Sequence, residues 1–110
     1  MAVRVLCNDP QKLLSQVKAA VARGAVQTWS IDKDGDFTHS PTQWRYKAWF
    51  RPSVGPGVLV FNILGPTTEK MSKEVYGVYH GRFIEMLLAH LDTKFESAEA
   101  SAMPLDGDTF

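Results

Sequence analysis

Apolar and polar positions along the chain change period several times, and each change marks an element. A short strand is predicted over Val3, Arg4, Val5 and Leu6. Asp9-Pro10 then has the character of a helix start, since Asp can cap the free amides of the first turn and Pro at the first helical position gives up no hydrogen bond. Leu13, Leu14, Val17, Ala20 and Val21 follow at spacings of three and four, and Gly24 suits the left-handed residue that ends many helices. From Gln27 to Asp32 the period drops to two, with Trp29 and Ile31 on one side. Lys33 to Asp36 reads as a turn, and Phe37 to Ser40 as a return strand interrupted by Pro41.

Alternation resumes at Gln43. Trp44, Tyr46, Ala48 and Phe50 fall on one side of a predicted strand, and Arg45, Lys47, Trp49 and Arg51 on the other. A Pro- and Gly-rich turn over 52–57 leads to Val58–Leu64, which is almost wholly apolar and reads as a strand covered on both faces or as one edge of an interface. The longest helix is predicted from about Glu69 or Ser72 to about Phe95. Its broad apolar face includes Tyr76, His80, Phe83, Leu87 and Leu91, and a second stripe of Val75, Tyr79 and Met86 lies nearly opposite.

The resulting order, β-α-β-β-β-α, describes an α+β domain in which an antiparallel meander of three to four strands carries both helices on one face. Its last five elements resemble those of double-stranded RNA-binding domains in order alone. The second helix lacks that family's lysine- and alanine-rich opening, so no membership follows.

Composition narrows the class. The 110 residues are 45% hydrophobic and 22% charged, the average of a soluble single domain rather than of a disordered chain. One cysteine, Cys7, excludes an internal disulfide framework, and no paired Cys and His spacing suggests zinc. No apolar run approaches the roughly 20 residues that span a bilayer, so a cytoplasmic protein without a membrane partner is expected. The formal net charge of +0 is unevenly spread. Residues 96–110 carry Glu96, Glu99, Asp106 and Asp108 with no Lys or Arg, which leaves residues 1–95 with twelve basic against eight acidic side chains. The expectation is a folded domain over 1–95 and a flexible acidic tail over 96–110.

Candidate chemistry is sparse. Arg45, Lys47, Trp49 and Arg51 combine cations with an aromatic, the pairing that neutralises phosphates and stacks bases, so they are the candidate nucleic-acid residues. The stripe Val75, Tyr79 and Met86 is the candidate homodimer interface. Tyr76 and His80 form a candidate buried polar pair, the basis of a less favoured reading as a small-molecule site or enzyme. Gly77 and Gly81 suggest close approach of another backbone to the helix. Asp32 to Asp36 is acidic but misplaces the glycine and glutamate of a calcium loop, and Cys7 beside a helix start has no clear histidine partner. No catalytic set, metal site or cofactor is indicated, and a small binding or accessory protein is the leading expectation.

Overall fold

The computed structural model describes residues 2–103 and 105–110. In chain order its elements are β1 (Ala2–Leu6), α1 (Pro10–Ala22), β2 (Trp29–Ile31), β3 (Phe37–His39), β4 (Trp49–Gly55), β5 (Val58–Leu64), α2 (Lys73–Leu91), a 3₁₀ turn (Asp92–Lys94) and β6 (Ser97–Ala100). All six strands join one antiparallel sheet in the order β2-β3-β4-β5-β1-β6.

Local chemistry explains both helix starts. The Asp9 carboxylate accepts from the Lys12 amide with Pro10 in the first turn, and the Ser72 hydroxyl accepts from the Val75 amide. Gly24 adopts φ 80° just beyond α1, where a side chain would be strained. Register then sorts the strand residues. Val3 faces Phe61, Val5 faces Leu59, and Phe50 faces Ile63, so these side chains line one surface of the sheet. Leu13 and Val17 of α1, and Tyr79, Phe83 and Leu87 of α2, complete a single core with them. The Phe83 ring is its hub, with ring centroids 4.6 Å from Phe61, 4.8 Å from Phe50 and 4.9 Å from Trp29. Each such side chain contributes roughly 1.5–3 kcal/mol by leaving water.

The α+β class and the antiparallel meander hold, the meander being β2 through β5. The sheet, however, has six strands, because four rather than three lie between the helices and a sixth follows α2, and two segments behave otherwise than expected. First, the strand expected from Gln43 begins only at Trp49. Pro41 closes a turn instead, its carbonyl accepting from the Trp44 and Arg45 amides, and Tyr46 takes φ 63°. Trp44 still packs against the core from within this turn, but Tyr46, expected on the same inward side, is 62% exposed, so the alternation is lost with the strand. Second, the segment expected as a flexible acidic tail supplies β6 on the far side of β1, pairing Val5 with Ala98 and Arg4 with Glu99. Its small, polar side chains suit a short edge strand. Beyond β6, Ser101 hydrogen-bonds with Ala2 in both directions, and Thr109 pairs alongside Leu64 in parallel. Pro104 of that segment lies outside the described residues.

Candidate functional site

Both helices cover the same surface of the sheet, so the opposite surface has no helix over it. Its side chains follow from strand alternation. Trp49, Arg51 and Ser53 come from β4, Val58, Val60, Asn62 and Leu64 from β5, Arg4 and Leu6 from β1, and Glu99 from β6. Val58, Val60, Leu64 and Trp49 are half-buried, and Leu6 is 42% exposed. An apolar strip therefore runs across three strands with charged residues interspersed.

The charges on and around this face are paired. Arg51 lays its fork on Asp36, with Nε–Oδ1 2.9 Å and Nη2–Oδ2 2.8 Å. These hydrogen bonds, and the charge behind them, raise the guanidinium pKa further above its ordinary value. Arg4 sits between Val60 and Glu99 in the register and donates to the Glu99 carboxylate at 3.1 Å. Lys47 lies 3.8 Å from Glu69, and the Arg45 guanidinium stands 5.3 Å from the ring centroid of its exposed neighbour Tyr46.

No protein-family model, curated protein or solved structure matches the chain. Its own geometry therefore carries the functional reading.

The four residues grouped as a basic strand face are split by the fold. Trp49 and Arg51 share a face of β4, whereas Arg45 and Lys47 belong to the turn before it. Two of the three cations are bound to carboxylates. Of the stripe grouped as a dimer surface, Tyr79 is 0% exposed and Met86 is also buried, with Val75 packed at the margin of the same core. That stripe faces inward because α2 packs against more than one neighbour: β1, β6 and α1 all touch it. The Tyr79 hydroxyl donates to the Trp44 carbonyl and contacts the Thr38 hydroxyl at 3.1 Å, which ties α2 to the turn where β3 and β4 part.

Tyr76 and His80 are indeed brought together, with ring centroids 4.2 Å apart, and His80 Nδ1 donates to the Tyr76 carbonyl at 2.8 Å. The Tyr76 hydroxyl donates to the Ser101 carbonyl, and burial, followed by the charge of Asp108, raises its pKa. Cys7 is elsewhere. Its buried thiol contacts the Val5 carbonyl at 3.7 Å, and burial, then Asp9 and Glu96, push its pKa up, the opposite of an activated nucleophile. The carboxylates of Asp32, Asp34 and Asp36 approach within 4.8 Å of one another, but Asp36 is committed to Arg51, and Asp32 accepts from the Asp34 and Asp36 amides. No helix among the described residues is long and apolar enough to cross a membrane.

Sequence reasoning missed two participants of the open face. Leu6 alternates with the buried Val5 and Cys7, a signal present in the sequence, whereas Val60 belongs to the Val58–Leu64 run already read as one edge of an interface. Asn62, buried in the middle of that face, had no sequence signal of its role because its partners lie more than forty residues away.

Proposed function

We propose that this protein is an interaction module that docks a protein partner on the open face of its sheet, with Trp49 as the anchor. The observation that carries this reading is the pairing of charge on an apolar surface. A polyanion is drawn by unbalanced positive charge, which releases its counterions, whereas Arg51 and Arg4 here already hold Asp36 and Glu99. Apolar surface rimmed by balanced charge suits a protein surface, and Trp and Arg are the residues most enriched among interface anchors.

The test places a photo-crosslinking amino acid at Ser53, which is exposed on the open face, and in a separate chain at Arg82, which is exposed on α2. The expected result is a discrete adduct from position 53 only, removed by protease, resistant to nuclease and lost when Trp49→Ala is added. A nuclease-sensitive adduct would move the assignment to nucleic acid, and equal adducts from both positions would overturn a dedicated face.

A further inference from the structure

One part of the open face is already occupied. Residues 105–110 fold back over Asn62, whose side-chain amide donates to the Asp106 carbonyl at 3.0 Å and to Asp108 Oδ1 at 2.8 Å. The same Asp108 carboxylate accepts from the Ile63 amide at 3.1 Å and, through its other oxygen, from the Leu105 amide at 2.8 Å. Next to it the Thr109 amide donates to the Ile63 carbonyl at 3.0 Å, and the Gly65 amide donates to the Thr109 carbonyl at 2.6 Å. Pairing of β5 with β1 runs from Val58 to Asn62, so Thr109 takes up backbone groups at the end of β5 that β1 does not use. This is strand addition by the chain's own segment.

Two glycines shape the contact. A Cβ on Gly65 would lie 2.8 Å from the Phe110 Cβ, and one on Gly107 would lie 2.9 Å from Asn62 Oδ1, with Gly107 already at φ 97°. Phe110 can approach Gly65, and the Gly107 backbone can approach the Asn62 side chain, only because neither glycine carries a Cβ. Yet the segment buries its apolar side chains only in part, Leu105 being 37% and Phe110 49% exposed, and Asp106, Gly107 and Thr109 are exposed as well. Polar and main-chain bonds hold it, so it belongs to the part of a structure that opens at low free-energy cost. In the register its anchor Asn62 lies directly opposite Arg51, two residues along β4 from Trp49.

We infer that the ground from Asn62 to Gly65 is a seat for an extended acidic segment, filled in cis by residues 105–110, and that an aspartate-bearing strand of the partner enters by displacing this strap. The identity of the arriving strand rests on the docking reading above; the seat and its strap do not. The chemistry asked of the newcomer is what the strap displays: a carboxylate for the Asn62 amide and the Ile63 N–H, a residue without a side chain beside Asn62, and a free main-chain edge for Ile63 and Gly65.

The probe is a synthetic decapeptide with the sequence of residues 101–110, titrated into the full chain and into two full-chain variants. Asp108→Ala removes the shared carboxylate, and Gly107→Ala forces the strap off by a Cβ that has no room, so the two reach one end by separate routes. In both variants, amide exchange at Ile63 and Gly65 should rise at least about tenfold while Phe61 in mid-strand is unchanged, as expected when Ile63 loses its bond to a carboxylate and Gly65 its bond to the Thr109 carbonyl. Both variants should bind the peptide at least about tenfold more tightly than the unaltered chain does. A peptide with alanine at the position of Asp108 should not bind. Equal acceleration at Phe61 would show that the strap is simply part of the global fold and overturn the proposal, as would a peptide affinity equal in all three chains. Trp49→Ala in the Asp108→Ala background separates the two readings. If peptide binding persists there, the seat stands without the Trp49 anchor, and if position 53 captures no partner in the chain that keeps Trp49, the docking reading fails while the seat stands.

Discussion

His39 shows how one buried side chain sets a pH dependence. Its Nδ1 donates to the Thr28 carbonyl at 2.7 Å, and its ring lies 4.6 Å from Trp29 and 6.0 Å from Tyr79, centroid to centroid. Burial lowers its pKa below the ordinary 6.5, the Thr28 bond opposes this, and Arg82 and Glu85 of α2 act on it in opposite directions. The folded chain therefore holds the neutral ring to a lower pH than the unfolded chain. It follows that the contribution of His39 is fully present above pH 6.5 and is lost as pH falls through the window below it, where the unfolded state takes up the proton first. Stability measured by urea denaturation should decline from about pH 7 to about pH 5, and His39→Gln should flatten that slope. An identical slope in both chains would remove His39 as the cause. From the sequence this histidine belongs to the return strand Phe37–Ser40 and is a candidate extension of the basic face, with nothing to show that it is buried. Its burial follows from Trp29 standing opposite it across the β2–β3 pair, which no local pattern reveals.

At the scale of elements, α2 carries two residues whose presence its packing does not require. Gly77 and Gly81 were expected to admit another backbone, but a Cβ at either position would meet nothing within 4 Å. Each lies on the exposed side of the helix, where glycine costs about 1 kcal/mol relative to alanine. Gly77→Ala and Gly81→Ala should each stabilise the protein by about that amount, and the double variant by about twice as much, seen as a rise in the urea midpoint. No gain would mean that a surface outside this chain covers the helix. Element existence was legible wherever period and capping agreed, as in α1 with Asp9, Pro10 and Gly24, and in β5. Strand limits were not. Gln43 to Lys47 alternates like a strand but is held as a turn by Pro41 and the Tyr79 hydroxyl, a tertiary contact 35 residues away. β6 has no apolar period at all and exists because β1 offers it a free edge. The candidate site was legible in part, since Trp49 and Arg51 were correctly grouped on one side of a strand. Their charge balance was not, because Asp36 and Glu99 reach the open face from separate elements.

Taken whole, the molecule is a two-layer structure in which a single hub couples the layers. Phe83 touches rings from β2, β3, β4 and β5, so Phe83→Ala should cost about 3–5 kcal/mol. Because there is one core, amide exchange should accelerate together in all four strands, and a loss confined to one hairpin would show that the core is divided. The sheet order has a further consequence in time. β1 is synthesised first yet lies between β5 and β6, and its partners are separated from it by more than fifty and more than ninety residues. Val3 and Val5 therefore remain without strand partners while most of the chain is made, and the closing step of folding must bring distant segments together against the entropy of a long loop. The helices and the β2–β5 meander can form from local contacts. The strand that completes the sheet has to wait, which makes its arrival the natural slow step and the interval before it the period of greatest risk of aggregation.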